Sequence, residues 1–266
     1  YSGLARALES KHNDEAIGAL REGAEVPLAA FPRGARIGDF FHHLFEHHLQ
    51  GCLDQETLTR SLRRHGLTNA MEPERLVALF EQLRSVPVSQ GESLTQLTAS
   101  GQLPEASFLL PLASNFRPRD LARAVQAYGS SEWTEYAQQL MALEEDQVVG
   151  FLTGSIDLVY CHQGRWGLVD YKSNYLGDQR HDYDQDNMAR IMASHHYLLQ
   201  GLIYSVALLR MIRRRQPGAD PFDAFDGARF FFLRGADEPG FGIFELPTEK
   251  ELLLALDRCF AGTGLS

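Results

Sequence analysis

Apolar and polar positions along the chain repeat with two different periods, and the change of period separates a helical first part from a mixed second part. From Gly38 the run DFFHHLFEHHL repeats apolar residues every three or four positions, which predicts a helix. Asp54 caps a second predicted helix, and Glu72-Pro73 opens a third that extends to about residue 86. Residues 1–36 mix short helical pieces with Gly, Pro and Ala, which is typical of a linker packed over a domain.

The second part alternates strands and helices. An apolar run at 107–112, bounded by prolines, predicts a strand, and the β-branched and aromatic stretch around the Gln163-Gly164 turn predicts a hairpin over 152–172. The other predicted elements are helices near 118–128, 131–145, 185–215 and 248–260, and strands within 228–235 and 240–246. We therefore expect an α/β fold, a small mixed sheet flanked by helices. Residues 37–266 would form one domain, with a helical part over 37–100 and an α/β core over 101–266.

The hairpin brings charged residues together. If Gln163-Gly164 is a two-residue loop, Asp157 lies directly opposite Asp170, with Cβ atoms roughly 4.5–5.5 Å apart. Side chains alternate along a strand, so Lys172 shares a face with Asp170. Opposed like charges cost stability, and a divalent cation held by both carboxylates would relieve that cost. The pattern also fits an ordinary surface hairpin with two solvated aspartates and a bridging lysine.

Composition narrows the class of protein. Lys and Arg together number 25 against 35 Asp and Glu, a formal net charge of −10, so the surface as a whole should repel nucleic acid. Only three lysines occur, which makes the place of Lys172 notable. The three cysteines are too scattered for a disulfide framework or a metal cluster, so a reducing, cytoplasmic location is expected. The chain begins at Tyr1, and we expect it to be cut from a longer polypeptide.

Several segments, in order along the chain, resemble one family. GSID and DYKSNYLG are similar to motifs II and III of the PD-(D/E)XK nucleases, and in particular of the C-terminal nuclease domains of RecB-type helicase–nucleases (exonuclease V). FPRGARIGDFFHHLFE resembles the family's early helix with a histidine, and PEASFLLPL its first core strand. HHYLLQGLIYSVALLR resembles its Gln-x-x-x-Tyr helix, and FFFLRG the strand beyond it. The resemblance implies a restriction-endonuclease-like core.

The resemblance also implies roles for individual residues. His42, Asp157 and Asp170 would ligate a metal ion together with the backbone carbonyl of Tyr171, and Lys172 would be catalytic along with the two aspartates. Within HHLFEHH, His43 and His47 could alternatively form an adventitious zinc pair.

Further residues take supporting roles in the family. Glu105 matches an acidic position before the first core strand and would reach the metal through water or bind a second ion. Gln200 and Tyr204 lie four apart on one helix face and would orient the DNA. Arg213-Arg214-Arg215 is expected to close a helix, with a contact to the DNA backbone as the alternative. His195-His196, Trp133 and Trp166 are expected to serve structure.

The implied function is hydrolysis of DNA phosphodiesters with Mg²⁺, in double-strand break processing and recombinational repair. Mn²⁺ or Ca²⁺ could occupy the same site, with Ca²⁺ inhibitory. Expected partners are single strands delivered by a helicase, RecC- and RecD-like subunits and a RecA-type recombinase, with no membrane. No GxxxxGK[ST] loop is present, so ATP hydrolysis and unwinding are not expected of this chain. If the full protein is RecB-like, a motor would precede Tyr1. The alternatives are a docking module without catalysis and a stand-alone repair nuclease of the same superfamily.

Overall fold

A computed structural model describes residues 25–51, 53–142 and 150–263 of the chain. Most of the predicted linker over 1–36, and the end of the helix predicted over 131–145, therefore lie outside the described residues. The division of the chain at residue 36 stays a prediction. Among the described residues, no helix combines the length and the apolarity that crossing a membrane requires.

Helices dominate the described residues before residue 100, as the apolar spacing predicted. They are α1 (Ala35–Leu49), α2 (Gln55–His65), α3 (Pro73–Ser85) and α4 (Leu94–Thr98), with a short hairpin of β1 (Pro87–Ser89) and β2 (Glu92–Ser93) between the last two. Asp54 caps α2, since its side chain accepts a hydrogen bond from Thr57 N at 2.7 Å.

A five-stranded mixed sheet forms the centre of the second part, which confirms the predicted fold class. Its spatial order is β3 (Gln102–Leu112), β4 (Gly150–His162), β5 (Arg165–Lys172), β6 (Phe225–Phe232) and β7 (Ile243–Glu245). Only β5 and β6 run parallel. The helices around it are α5 (Pro118–Tyr128), α6 (Thr134–Met141), α7 (Gln185–Ser194), α8 (Tyr197–Arg215) and α9 (Lys250–Ala261).

The β4–β5 hairpin has the predicted register. His162 pairs with Arg165 and Leu158 with Val169, across a loop of Gln163 and Gly164. Both loop residues have positive φ, +50° and +80°, as a type I′ turn requires. Continuing this register by one residue beyond the Leu158–Val169 pair places Asp157 opposite Asp170, at the open end of the hairpin.

Two hydrophobic cores cover the two faces of the sheet. Leu168, Phe230 and Phe232 belong to a core shared with α5–α9, whereas the alternating residues Val169 and Phe231 belong to a core shared with α1–α4.

The alternation of side chains between the two cores reverses within strand β4. Leu152 and Ile156 lie in the α5–α9 core, but Leu158 and Tyr160, which are also even-numbered, lie in the α1–α4 core. Asp157 occupies the point of reversal. Its side chain can therefore meet groups from both sides of the sheet.

Two predicted boundaries were wrong for identifiable reasons. The helix predicted over 185–215 is interrupted at His195-His196, because His196 adopts a left-handed conformation (φ +55°) and starts α8 afresh. The strand predicted at 107–112 begins at Gln102, since Pro104 is tolerated in an edge strand. Glu105 therefore lies within β3 and not before it, with a φ of +47°.

Candidate active site

The two aspartates of the hairpin lie at its open end and are almost withdrawn from solvent. Asp157 is 8% exposed and Asp170 3%. Asp157 Oδ2 accepts a hydrogen bond of 2.6 Å from the backbone N–H of Tyr171, which fixes this carboxylate beside β5. Apolar neighbours surround this point on both strands, so burial of two carboxylates here requires compensation by cations or protons.

Lys172 supplies one compensating charge. Its Nζ lies 2.6 Å from Asp170 Oδ2 and donates a hydrogen bond of 2.8 Å to Gln200 Oε1. The same ammonium group lies 3.8 Å from the centre of the Tyr197 ring, a favourable cation–π contact. Burial alone would lower the pKa of Lys172, but the charge of Asp170 outweighs it and the pKa is raised. The lysine is therefore held as a cation.

His42 approaches from the opposite face of the sheet. Phe40, Phe41 and Phe45 bury one side of α1 in the α1–α4 core, and this packing turns His42 toward the hairpin. Its Nδ1 lies 3.3 Å from Asp157 Oδ2. Burial would lower the pKa of His42, but the Asp157 carboxylate reverses this and raises it.

The two aspartates differ in acidity. Burial would raise the pKa of Asp157, but His42 and the Tyr171 N–H outweigh burial, and its pKa is lowered. For Asp170, burial together with the charge of Asp157 outweighs Lys172 and raises the pKa to about 6. Asp157 is thus held ionised, whereas Asp170, with a pKa of about 6, takes up a proton as the pH falls toward 6.

Gln200 and Tyr204 share one face of α8, as their spacing predicted, and lie over this group, as the family resemblance implied. Gln200 Nε2 donates a hydrogen bond of 2.8 Å to the Tyr204 hydroxyl. Gln200 thereby joins Tyr204 to Lys172. Burial raises the pKa of the Tyr204 hydroxyl, so this group stays protonated.

A cleft of about 280 Å³ opens beside the pair and gives access to the site. It is lined by Glu105, Ser155 and Asp157 on the strands and by Gln200, Ile203 and Tyr204 on the helix, among others. The β3–β4 register continues Glu105 opposite Asp157. The Glu105 carboxylate accepts a hydrogen bond of 2.7 Å from Ser155 Oγ, which holds it at the border of the cleft.

The backbone of Tyr171 has an orientation that follows from its neighbours. Lys172 O accepts a hydrogen bond from Leu233 N on the β6 side, and successive residues of a strand point their N–H and C=O groups to alternate sides. The carbonyl of Tyr171 therefore points toward β4, on the side of its N–H and of Asp157. Its role as a metal ligand stays a prediction.

The donor set suits a divalent cation. Two buried carboxylates and one imidazole are ligands of the kind that Mg²⁺ and Mn²⁺ accept, and a cation would relieve the repulsion between the carboxylates. In the residues that the structure describes, however, no three His, Cys, Asp or Glu side chains are already gathered into a metal cage. Asp170 is instead held by Lys172.

The other residues singled out from the sequence contact neighbouring side chains or lie in the core. His43 and His47 have ring centres 4.3 Å apart, and no third side chain of metal-ligand type joins them within the described part of the chain. Trp133 is buried in the α5–α9 core, and Arg213 pairs with Asp257 at 3.2 Å. His196 contacts the Tyr136 hydroxyl at 3.1 Å and is not part of a helix surface.

Sequence reasoning missed Tyr197 as a member of the site. It lies one helical turn before Gln200, and its ring faces Lys172 while its hydroxyl donates to Asn174 Oδ1 at 3.2 Å. The spacing of Tyr197, Gln200 and Tyr204 along one face of a helix could have indicated it.

Comparison with known proteins bears on the family. Residues 15–257 match the PD-(D/E)XK nuclease superfamily. The chain is 34% identical over 269 residues to RecBCD enzyme subunit RecB of Escherichia coli K12, which covers 99% of this chain and 22% of that protein. RecB of Haemophilus influenzae is 31% identical over 259 residues, covering 96% and 21%. RecB of Mycobacterium tuberculosis H37Rv is 30% identical over 244 residues, covering 82% and 22%.

The chain thus spans about a fifth of the length of these relatives. The match extends over both the helical part and the sheet, so it includes every segment on which the sequence resemblance depended. The chain belongs to the PD-(D/E)XK nuclease superfamily.

Proposed function

We propose that this chain is the nuclease domain of a RecB-like helicase–nuclease and hydrolyses DNA phosphodiesters with a divalent cation, Mg²⁺ in the cell. The observation that carries the proposal is the buried group of Asp157, Asp170 and Lys172 at one end of a cleft. A lysine held charged at 5% exposure beside two carboxylates is costly to fold and suits the stabilisation of phosphoryl charge.

Each residue would have a distinct role. Asp157, Asp170, His42 and the carbonyl of Tyr171 would hold the cation, which when bound supplies Lewis-acid stabilisation of phosphoryl oxygens. Lys172 would donate to the phosphate oxygen on which charge develops, and its pKa keeps the proton in place. Gln200 holds the lysine by a hydrogen bond, and Tyr204 would orient a neighbouring part of the strand. Glu105 borders the cleft where a second cation would bind.

The relatives support a larger assembly. They are named as RecB subunits of the RecBCD enzyme, and the chain covers about a fifth of them. We therefore propose that the full protein carries a motor, pairs with RecC- and RecD-like subunits in the cytoplasm and receives single strands from the motor. Contact with a RecA-type recombinase belongs to the same proposal. Delivery by a motor would explain how a domain with a net charge of −10 handles DNA.

Cleavage of an end-labelled single-stranded oligonucleotide tests the proposal. The purified chain should cut it with Mg²⁺ and not with EDTA, and Asp170→Ala and Lys172→Ala should each abolish cutting. Lys250→Ala is the matched control, since Lys250 is a lysine ion-paired to an aspartate (Asp220 at 2.5 Å) outside the cleft. A parent chain that does not cut would favour a docking module, and variants as active as the parent would contradict the proposed roles of Asp170 and Lys172.

A further inference from the structure

Arg234, which follows strand β6, is one of the most buried charged side chains of the described residues, at 1% exposure. Its guanidinium donates to the backbone of two separate segments. Nε donates to Ser173 O at 2.9 Å, directly after Lys172. The other two nitrogens donate to carbonyls that precede α1, namely Leu28 O at 3.0 Å, Phe31 O at 3.2 Å and Pro32 O at 2.6 Å.

The two segments joined by Arg234 carry the two halves of the candidate site. Ser173 continues the strand of Asp170 and Lys172, whereas Pro32 lies three residues before α1, the helix of His42. The planar guanidinium presents fixed, divergent donors, which a single ammonium group cannot reproduce. The guanidinium carbon also lies 5.8 Å from the centre of the Phe41 ring, next to His42 in sequence.

The contacts of Arg234 at the start of α1 affect the distance between His42 and Asp157, because His42 lies well along the helix. His42 lies seven residues beyond the first residue of α1, about 10 Å along the axis. A tilt of a few degrees at the start of the helix therefore moves the imidazole by a sizeable fraction of an ångström. The His42–Asp157 separation is 3.3 Å, so a shift of this size decides whether both can hold one cation.

We propose that Arg234 is a positioning residue that sets His42 against Asp157 and Asp170 for binding of a divalent cation. The inference rests on the proposed function and adds a residue that touches neither cation nor DNA. Partners behind the ligands of a metal site are worth about 10- to 100-fold in metal affinity.

Titration with Mn²⁺ by calorimetry, without DNA, tests the inference on the 266-residue chain. Arg234→Lys should weaken Mn²⁺ binding by about 10-fold or more. Arg229→Lys is the matched control. Arg229 is a buried arginine of the same strand region (2% exposed), but it binds Tyr160 and Glu245, so Mn²⁺ affinity should change less than twofold.

A double-mutant cycle with His42→Ala separates positioning from general weakening of the fold. If Arg234 acts through His42, Arg234→Lys should reduce Mn²⁺ affinity by less than threefold once His42 is absent. Unchanged affinity in Arg234→Lys, an equal loss in Arg229→Lys, or an equal loss with His42 absent would each overturn the inference.

Folding is checked by a cooperative thermal transition. If Arg234→Lys lacks one, Arg234→Gln is titrated in its place, and loss of the transition in both overturns the inference, because Arg234 would then serve folding alone. A parent chain that binds no Mn²⁺ would overturn the proposed function and this inference with it. The two failures are distinguishable. A failure of the proposed function appears as absent Mn²⁺ binding in the parent chain, whereas a failure of the Arg234 inference alone appears only in the variants.

Discussion

Two polar clusters lie on the same sheet, and they differ in their balance of charge. In the first, Asp157 and Asp170 share Lys172, on the α5–α9 face, with the imidazole of His42, which approaches from the α1–α4 face. On the α1–α4 face, Asp226 accepts hydrogen bonds from Tyr160 (2.6 Å), Ser89 (3.0 Å) and Arg165 (3.3 Å) and pairs with Arg229.

The charges of the second cluster balance one another without a ligand. Two arginines face two carboxylates, because Arg229 also binds Glu245 at 2.9 Å, and the Tyr160 hydroxyl both donates to Asp226 and accepts from Arg229. In the first cluster, two carboxylates face Lys172 and His42, so one positive charge is missing whenever the imidazole of His42 is neutral. Burial, and to a lesser extent the charge of Asp157, raises the pKa of Asp170 to about 6. A structural cluster is neutral without a ligand, whereas a binding site leaves charge for the ligand to neutralise.

Removal of the central cation should lower the rate of DNA cleavage in the first cluster and leave it nearly unchanged in the second. Lys172→Met should lower the rate of DNA cleavage by about a thousandfold, as expected for the loss of a group that stabilises developing charge. Arg229→Met should leave the rate per folded molecule within about threefold. Single-turnover cleavage with Mg²⁺ measures both. A comparable fall in Arg229→Met would contradict the division of the two clusters.

Stability should respond in the reverse order. Arg229→Met leaves Asp226 and Glu245 without this partner, and loss of one member of a buried pair costs about 3 kcal/mol or more. Lys172→Met should cost less, because Asp170, with a pKa of about 6, can bind a proton in place of the lysine. Urea unfolding at neutral pH measures the free energies of unfolding. If Lys172→Met proved the more destabilised variant, Asp170 would not take up a proton in place of the lysine.

A divalent cation should stabilise only through the first cluster. Mn²⁺ at about 100 times its Kd adds about 2.7 kcal/mol, which raises the Tm by roughly 5–10 °C for a chain of this size. Asp157→Asn should remove this shift. Asp226→Asn should lower the Tm of the metal-free chain and keep the shift, so differential scanning fluorimetry with and without Mn²⁺ separates the two carboxylates. A full shift in Asp157→Asn would contradict its role as a ligand.

The first cluster was predictable from sequence to a large extent, because most of it is local. Asp157, Asp170 and Lys172 are linked by a two-residue turn, whose Gln163-Gly164 sequence fixes the register by itself. Gln200 and Tyr204 share a helix face by spacing alone. Their placement against Lys172 depends on how α8 packs on the sheet, and only the family resemblance indicated it.

The second cluster and Arg234 could not be predicted in the same way. Tyr160, Arg229 and Ser89 come from three distant parts of the chain and carry no spacing signal. Arg234 was visible only as part of FFFLRG, since its partners are backbone carbonyls, which have no sequence signature. The reversal of β4 at Asp157 was equally hidden, because strict alternation is the default expectation for a strand.

Removal of the Tyr204 hydroxyl should have the smallest effect on the cleavage rate, and it tests how far the chemistry of the first cluster extends. Tyr204→Phe keeps the ring, whose centre lies 5.4 Å from that of Phe108, and removes only the hydroxyl that accepts from Gln200. Gln200 still holds Lys172, so loss of one hydrogen bond should slow cleavage by about two- to tenfold. Single-turnover rates measure this against Gln200→Ala, which should be slower because Lys172 loses a direct partner. A Tyr204→Phe rate as low as that of Lys172→Met would mean that the hydroxyl acts on the DNA directly, and the chemistry would then extend along the cleft beyond the buried cluster.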